Sequence, residues 1–220
     1  MPRGKAAYSI VLDASQLNCV VVGAGTVGER KALGLIEAGA TPLLIGHKAT
    51  ARVKDLARSG RLRLDLDGYR SEKLGDADLV LAATDDPALN RRVASEAKKA
   101  GALVNVVDDP SRSDFANVAQ IAIGDVRISV GTLGRSPAFT KALRKYIQSV
   151  LPGDLETHLR HFERWRRQID EHLTDPKDRQ WVWSELDRRD LLGTLMASGT
   201  EAADRVVGEC LDAASAKRRA

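Results

Sequence analysis

The stretch "VVVGAGTVGERKA", residues 20–32, decides the fold of this chain. A β-branched apolar run stops at Gly23, and a helix-like pattern begins a few residues later. The three glycines between them form G-x-G-x-x-G, in which the first permits a tight turn, the second lets a pyrophosphate approach, and the third lets the helix pack closely. Alone the pattern is weak, and a glycine-rich turn without a ligand is the alternative. Between a strand and a helix it predicts dinucleotide binding. The predicted contacts are Gly23, Gly25, Thr26, Val27 and Gly28.

The chain on either side of this stretch repeats the same alternation of strand and helix. Apolar β-rich runs predict strands at 18–23, 42–46, 61–66, 77–84 and 102–108. Helical spacing predicts helices at 26–38, 49–59 and 87–100. Alternation at this pitch is typical of a parallel sheet with helices on both faces. We therefore predict an α/β fold with a Rossmann-type sheet.

The pattern changes after residue 115. Residues 118–132 read as two strands around Gly124-Asp125, which indicates a β-hairpin. Ser136-Pro137 is a helix start, and the chain beyond it is helical, with helices predicted at about 176–197 and 200–217 on either side of Ser198-Gly199. We predict an NAD-binding domain over 1–115, a hairpin and helix over 116–151, and a helical C-terminal domain over 152–220.

Composition excludes several classes of protein. Of 220 residues, 43% are hydrophobic, but no apolar stretch is long enough to span a membrane, and the N-terminus has no signal-peptide core. Cys19 and Cys210 are far apart and are expected to be reduced thiols. The net charge of +4 suits a polyanionic ligand, but three Tyr, three Phe and three Trp are too few for a nucleic-acid stacking surface. We expect a cytoplasmic protein that binds neither membrane nor nucleic acid.

The second predicted strand ends in Gly46-His47-Lys48, where an Asp or Glu would ordinarily bind the ribose 2′-hydroxyl. One interpretation is weaker discrimination between NAD and NADP, with Lys48 near a 2′-phosphate. The alternative is that backbone groups hold the ribose and Lys48 is solvated. We predict His47 and Lys48 as cofactor contacts.

Polar residues also follow the fourth and fifth strands. Thr84 ends the fourth strand and Asp108 ends the fifth. Ligands of open α/β sheets lie across the carboxyl ends of the strands, so Thr84 is predicted to contact the cofactor and Asp108 to accept a proton from a substrate. Asp109 precedes Pro110 and is expected to belong to a turn.

Several stretches resemble the dehydrogenase/ferrochelatase module of siroheme synthase, the precorrin-2 dehydrogenase family. They are "VVGAGTVGERKALGLIEAGA", "AATDDPALNRRV", "NVVDDP" and "ISVGTLGRSPAFTKALRKYIQSVLP", and the likeness covers roughly residues 8–195. The resemblance implies NAD-dependent oxidation of precorrin-2 to sirohydrochlorin, followed in some members by insertion of Fe²⁺. It places the essential catalytic aspartate at Asp108 and a neighbouring cofactor-site asparagine at Asn105.

The resemblance also implies a substrate site and a homodimer that buries the hairpin. Precorrin-2 carries eight carboxylates, which cations and a helix N-terminus can bind. The chain reads Gly131-Thr132-Leu133 where the family has a serine-rich loop. The predicted substrate contacts are Thr132, Arg135, Ser136, Lys141 and Arg144.

Two other functions remain open at this stage: an NAD-sensing regulatory module, and a reductase of the same fold with a different substrate. His158 and His161 are spaced i, i+3, but no third ligand lies nearby in sequence, so no metal site is predicted.

Overall fold

The computed structural model describes residues 8–107 and 109–217, and its first part alternates strands and helices as predicted. The strands are β1 (Cys19–Val22), β2 (Leu43–Ile45), β3 (Arg63–Asp65), β4 (Leu79–Ala82) and β5 (Leu103–Val106). The helices are α1 (Thr26–Glu37), α2 (Ala51–Arg58) and α3 (Pro87–Lys99). The predicted strands are confirmed, and each is one or two residues shorter at either end than predicted.

The five strands form a parallel sheet in the order β3-β2-β1-β4-β5. Val20 of β1 pairs with Leu43 on one side and Val80 on the other. Successive side chains point to opposite faces, so Val21 belongs to one apolar layer and Val20 to the other. This double burial explains why β1 is apolar at every position.

The later part of the chain contains a hairpin and four helices. The elements are β6 (Ala119–Ile123), β7 (Val126–Val130), α4 (Pro137–Val150), α5 (Leu155–His172), α6 (Pro176–Arg188) and α7 (Leu191–Lys217). The hairpin is antiparallel, as predicted. Helices α5, α6 and α7 share an apolar core around Trp165, whose indole nitrogen donates to Asp204 Oδ1 at 2.7 Å. Among the described helices, none is both long enough and apolar enough to cross a bilayer.

The predicted single helix over 176–197 is wrong, because the chain breaks between α6 and α7. Asp190 adopts φ 48°, and its Oδ1 accepts a hydrogen bond from the Gly193 backbone at 3.1 Å. The side chain thus caps the first turn of α7, and Asp is one of the few residues that tolerates this backbone region. The predicted break at Ser198-Gly199 is a kink inside α7, where Gly199 has φ 80°.

The chain divides into two compact units whose ranges interleave. The first holds the described residues up to Val118 together with Gly131–Phe139, and it contains the parallel sheet. The second holds Ala119–Val130 and the described residues from Thr140 onward, with the hairpin and the helical core. The three domains expected from the sequence stay a prediction.

Candidate dinucleotide-binding site

The turn after β1 requires glycine at its first position. Gly23 has φ 116°, and its amide donates to the Ile45 carbonyl at 2.8 Å. A Cβ here would overlap the carbonyl oxygen of Ala83, whose own amide donates to Val22 at 2.7 Å. Three neighbouring strands therefore meet at this turn, and the backbones lie too close for a side chain.

Gly25 and Gly28 differ in what surrounds them. A Cβ on Gly28 would overlap the carbonyl oxygen of Gly23, so Gly28 lets α1 pack against the turn. A Cβ on Gly25 would have no described atom within 4 Å. Gly25 thus leaves open space at the site where a pyrophosphate approaches the backbone in this motif. The three glycines therefore fit a dinucleotide site: Gly23 and Gly28 allow close backbone packing, and Gly25 leaves room for the ligand.

The N-terminus of α1 lies in the same region. Gly25 occupies its N-cap position and has no side chain to accept hydrogen bonds from the first amides of the helix. Thr26 and Val27 line the adjoining cavity. The amides of a first helical turn and the helix dipole attract anions, so this end of α1 suits a phosphate group. The first-turn carboxylate of Glu29 is held away by Thr50 Oγ1 at 2.6 Å.

A cavity of about 790 Å³ extends along the carboxyl ends of the strands. It reaches from the segment after β3 to Val107 after β5. The ends of β2 and β5 are three strand spacings apart, roughly 14 Å. The lining residues are Val22, Gly23, Ala24, Gly25, Thr26, Val27, Ile45, Gly46, His47, Lys48, Gly68, Tyr69, Ala83, Thr84, Asp85, Asp86, Leu89 and Val107. This cavity has the size and extent for an extended dinucleotide.

Two of the predicted cofactor residues do not line this cavity. Gly28 lies behind the turn, as its packing requires. Asn105 is 8% exposed on β5, where its Nδ2 donates to the Phe115 carbonyl at 2.9 Å and its Oδ1 accepts from Lys31 Nζ at 3.4 Å. Asn105 thus ties β5 to α1 and to the segment at 115. The other predicted cofactor residues, Gly23, Gly25, Thr26, Val27, His47, Lys48 and Thr84, all line the cavity.

The segment "TDDPALN" explains the wall that follows β4. Asp86 Oδ1 accepts from the Ala88 amide at 2.7 Å and caps α3, with Pro87 in the first turn. Asn90, 6% exposed, accepts from Thr84 Oγ1 at 2.7 Å and returns a bond from Nδ2 to the Thr84 carbonyl at 3.0 Å. Sequence reasoning missed Asn90, although its spacing after a helix cap was the available signal.

The end of β2 is shaped by a segment that follows β3. The imidazole of His47 lies against Gly68, so closely that a Cβ on Gly68 would overlap the ring. Gly68 has φ 80°, and Tyr69 next to it enters the cavity wall. His47 and Lys48 are both exposed. Gly68, Tyr69 and Leu89 were missed because no local pattern links them to the glycine motif.

The predicted base Asp108 lies outside the described residues. Its neighbour Val107 lines the cavity, and the Val107 amide continues the pairing of β5 with β4 by donating to Ala82 at 2.9 Å. Asp109 lies in the expected turn, with its carbonyl accepting from the Arg112 amide at 3.3 Å. The Ser111 hydroxyl, followed by the Arg112 charge, lowers the pKa of the Asp109 carboxyl.

The predicted substrate residues are divided between the two units. Thr132, Arg135 and Ser136 form a turn before α4, in which the Ser136 amide donates to Thr132 Oγ1 at 3.2 Å. Ser136 Oγ accepts from the Phe139 amide at 3.2 Å and caps α4 as predicted. Lys141 and Arg144 lie on α4 itself, and Arg144 Nη1 donates to the Gln148 side chain at 3.1 Å. Thr132, Arg135 and Ser136 belong to the same unit as the dinucleotide cavity but are not among its lining residues.

The parallel sheet, the glycine turn and the cavity together define a Rossmann-type dinucleotide-binding protein. A family model described as putative NAD(P)-binding matches residues 10–119, and the chain belongs to that family. It therefore carries a domain for a nicotinamide dinucleotide.

Curated relatives agree with the resemblance described above. The chain is 33% identical over 210 residues to siroheme synthase of Methylococcus capsulatus, covering 96% of this chain and 44% of that protein. It is 33% identical over 193 residues to siroheme synthase 1 of Serratia proteamaculans, covering 88% of this chain and 40% of that protein. The chain thus spans less than half the length of these relatives.

A solved structure, SirC, a precorrin-2 dehydrogenase, shares the fold. It matches with a TM-score of 0.69 at 23% sequence identity, covering 95% of this chain and 99% of that one. The fold class predicted from the sequence is confirmed, and so is the likeness to this family.

Proposed function

We propose that this protein oxidises precorrin-2 to sirohydrochlorin with NAD as the acceptor, as a step of siroheme biosynthesis. The observation that carries the proposal is the cavity that runs from the open space at Gly25 to Val107, directly before Asp108. A dinucleotide bound along that edge has its two halves at opposite ends of the sheet. The substrate is inferred from the relatives, which are siroheme synthases, and from the similar structure, which is a precorrin-2 dehydrogenase.

The cofactor we propose is NAD, held at Gly23, Gly25, Thr26, Val27, His47, Lys48 and Thr84. Bound NAD supplies a hydride acceptor. The amides at the start of α1 bind its diphosphate, because the N-cap residue Gly25 has no side chain that competes for them. Gly28 lets α1 pack close to the turn. Asn105 supports β5 by donating a hydrogen bond to the Phe115 carbonyl.

Asp108 is the residue we propose as the base. Oxidation of precorrin-2 removes two hydrogens, one as a hydride and one as a proton. Bound NAD would accept the hydride, and the Asp108 carboxylate accepts the proton. Asp109 is an unsuitable alternative, because Ser111 and Arg112 already bind its carboxylate.

The substrate's carboxylates are bound, in this proposal, by Thr132, Arg135, Ser136, Lys141 and Arg144. Arg135 and Lys141 are exposed, and Ser136 caps the N-terminus of α4, whose dipole favours a nearby carboxylate. Arginine and lysine side chains at these positions supply the charge that a polyanion needs.

A homodimer is also part of the proposal. None of the residues of α4 is buried, and Phe139, Tyr146 and Val150 are 58%, 66% and 61% exposed. The hairpin of β6 and β7 is a two-stranded sheet, which is marginal without further packing. A second copy of the chain that covers these surfaces accounts for both features.

Iron insertion is a second reaction of the same protein that we propose, with Fe²⁺ as a substrate. The relatives are siroheme synthases, and siroheme contains iron. Asp108 then accepts the pyrrole protons that the metal displaces.

We also propose that the protein acts in the cytoplasm, because Cys19 and Cys210 are buried free thiols.

The test is to incubate the purified protein with precorrin-2 and NAD and to follow the absorbance of sirohydrochlorin and NADH together. Equal amounts of both products are expected. Binding of NAD without turnover would favour the NAD-sensing alternative, and turnover of another substrate alone would favour the reductase. Iron insertion is measured separately with sirohydrochlorin and Fe²⁺ or Co²⁺ and without NAD, against a sample lacking protein.

A further inference from the structure

Tyr69 is an aromatic residue that lines the dinucleotide cavity. It lies just after β3, beside Gly68 and the ring of His47, and it lines the cavity together with Leu89 of α3. Tyr69 and Leu89 both pack, partly buried, against the apolar layer that contains Ile45 and Val93. This end of the cavity is therefore a slot in which Tyr69 and Leu89 form an apolar wall beside the polar ring of His47.

The ring of Tyr69 is fixed in place by α3. Its hydroxyl donates to Glu96 Oε2 at 2.6 Å, and Arg92 Nε binds the other oxygen of Glu96 at 2.9 Å. The Arg92 guanidinium also lies 5.7 Å from the centre of the Tyr69 ring. Burial, and next the bond to Glu96, raise the pKa of the Tyr69 hydroxyl, so the phenol stays neutral. A ring held in this way loses little conformational freedom when a ligand binds.

The position of this slot along the sheet decides what it can bind. In the proposed function the diphosphate is bound at Gly25, which lines the cavity between its two ends. If Asp108 is the base, the nicotinamide lies at the β5 end, because the hydride donor must be beside both. The adenosine half then extends toward the ends of β2 and β3, where Tyr69 and His47 are found.

We propose that Tyr69, held by Glu96, is the wall against which the adenine base of the dinucleotide packs. The proposal rests on the proposed function for the direction in which the cofactor lies. Leu89 supplies the apolar surface beside it, and the planar ring supplies a stacking surface that an aliphatic residue of similar volume lacks. The ligand class at this end is a purine nucleotide.

The experiment compares Tyr69→Leu with the wild-type chain by titration calorimetry, with NAD and with AMP as ligands. Leucine keeps the apolar packing and removes the aromatic ring. Loss of one base-stacking contact corresponds to about a ten- to hundredfold rise in Kd. We expect this rise for NAD and for AMP alike, with the melting temperature reduced only slightly. Tyr69→Phe, which keeps the ring, is expected to bind both ligands within about threefold of wild type.

The matched control is Tyr8→Leu, because Tyr8 is 92% exposed and takes no part in the cavity. It should leave both affinities unchanged. If Tyr69→Leu is folded and binds AMP as tightly as wild type, Tyr69 has only a packing role and the inference is wrong, while the proposed function stands. If Tyr69→Leu fails to fold, Tyr69→Met and Tyr69→Phe decide: equal affinity in a folded Tyr69→Met, or a large loss in Tyr69→Phe, contradicts a stacking role for the ring. If wild type binds neither ligand, the proposed function itself fails.

Discussion

At the scale of single residues, Gly25 offers the sharpest test of the cofactor site. Its missing Cβ faces space with no described atom within 4 Å, so Gly25→Asp is expected to fold. The added carboxylate would occupy the site of the pyrophosphate and repel its negative charge. Titration calorimetry should therefore show that NAD binding is lost. The contrasting variant is Gly28→Ala, whose methyl group would overlap the Gly23 carbonyl oxygen. It should lower stability by about 1–3 kcal/mol or more. A folded Gly25→Asp protein with unchanged NAD affinity would disprove the cofactor assignment.

The two adjacent aspartates make the second residue-scale prediction. Asp108→Ala should retain the fold and NAD affinity and lower kcat by about 10²–10⁴, the usual contribution of a positioned general base. Asp109→Ala should keep its turnover and lose a little thermal stability, because Asp109 only closes the turn through Ser111 and Arg112. Full dehydrogenase activity in Asp108→Ala, or an inactive Asp109→Ala, would overturn the assignment of the base.

At the scale of elements, we expect the connection from β2 to α2 to set the choice between NAD and NADP. It holds Gly46-His47-Lys48 and supplies no carboxylate for the ribose 2′-hydroxyl. We expect NAD to be preferred, but NADP to be rejected less strongly than by a protein with Asp at this point. Steady-state kinetics with both cofactors measure the preference. A ratio of kcat/KM of about 10⁴ or more, equivalent to about 5.5 kcal/mol, would contradict this interpretation.

At the scale of the whole molecule, the exposed face of α4 predicts self-association. Light scattering should give a mass near twice that of the 23.8 kDa chain. Tyr146→Asp places a charge on the apolar face and should produce monomers. Lys145→Asp, at an exposed position about 100° around the same helix from Tyr146, is the control and should remain dimeric. A monomeric wild-type protein at micromolar concentration would rule the dimer out.

Acid stability is the second prediction at this scale. Hydrogen bonds from Lys73 to Asp65, from Tyr69 to Glu96 and from Arg189 to Glu185 lower the pKa of each carboxyl in the folded protein. The unfolded chain therefore binds protons first as the pH falls. The stabilisation is complete above the ordinary carboxyl pKa values of about 4 and is lost as the pH falls through the lowered ones. The melting temperature should drop steeply below about pH 4.5, and Glu185→Gln should flatten that drop. If the melting temperature of Glu185→Gln falls with pH as steeply as that of wild type, the role of the Glu185 carboxyl in acid stability is wrong.

The sequence by itself determined the parts that depend on short-range patterns. Four local features appear in the structure where they were predicted: the apolar run before Gly23, the glycine spacing, the cap-and-proline signal at Ser136-Pro137 and the hairpin at Gly124-Asp125. Each is decided by backbone sterics or hydrogen bonds within a few residues, so the local sequence contains the information.

Only the tertiary structure decided which distant residues complete the site. Tyr69 and Gly68 lie beside His47 in the cavity wall, although they are 21 or more positions away in sequence. Asn105, predicted to contact the cofactor, instead forms hydrogen bonds with Phe115 and Lys31 and does not line the cavity. On either side of the break at Asp190, Leu186 and Leu191 are both buried in the same helical core. These contacts form because elements far apart in the chain pack against each other. Packing of this kind contributes to the free energy of folding over long sequence distances, so local sequence patterns do not predict it.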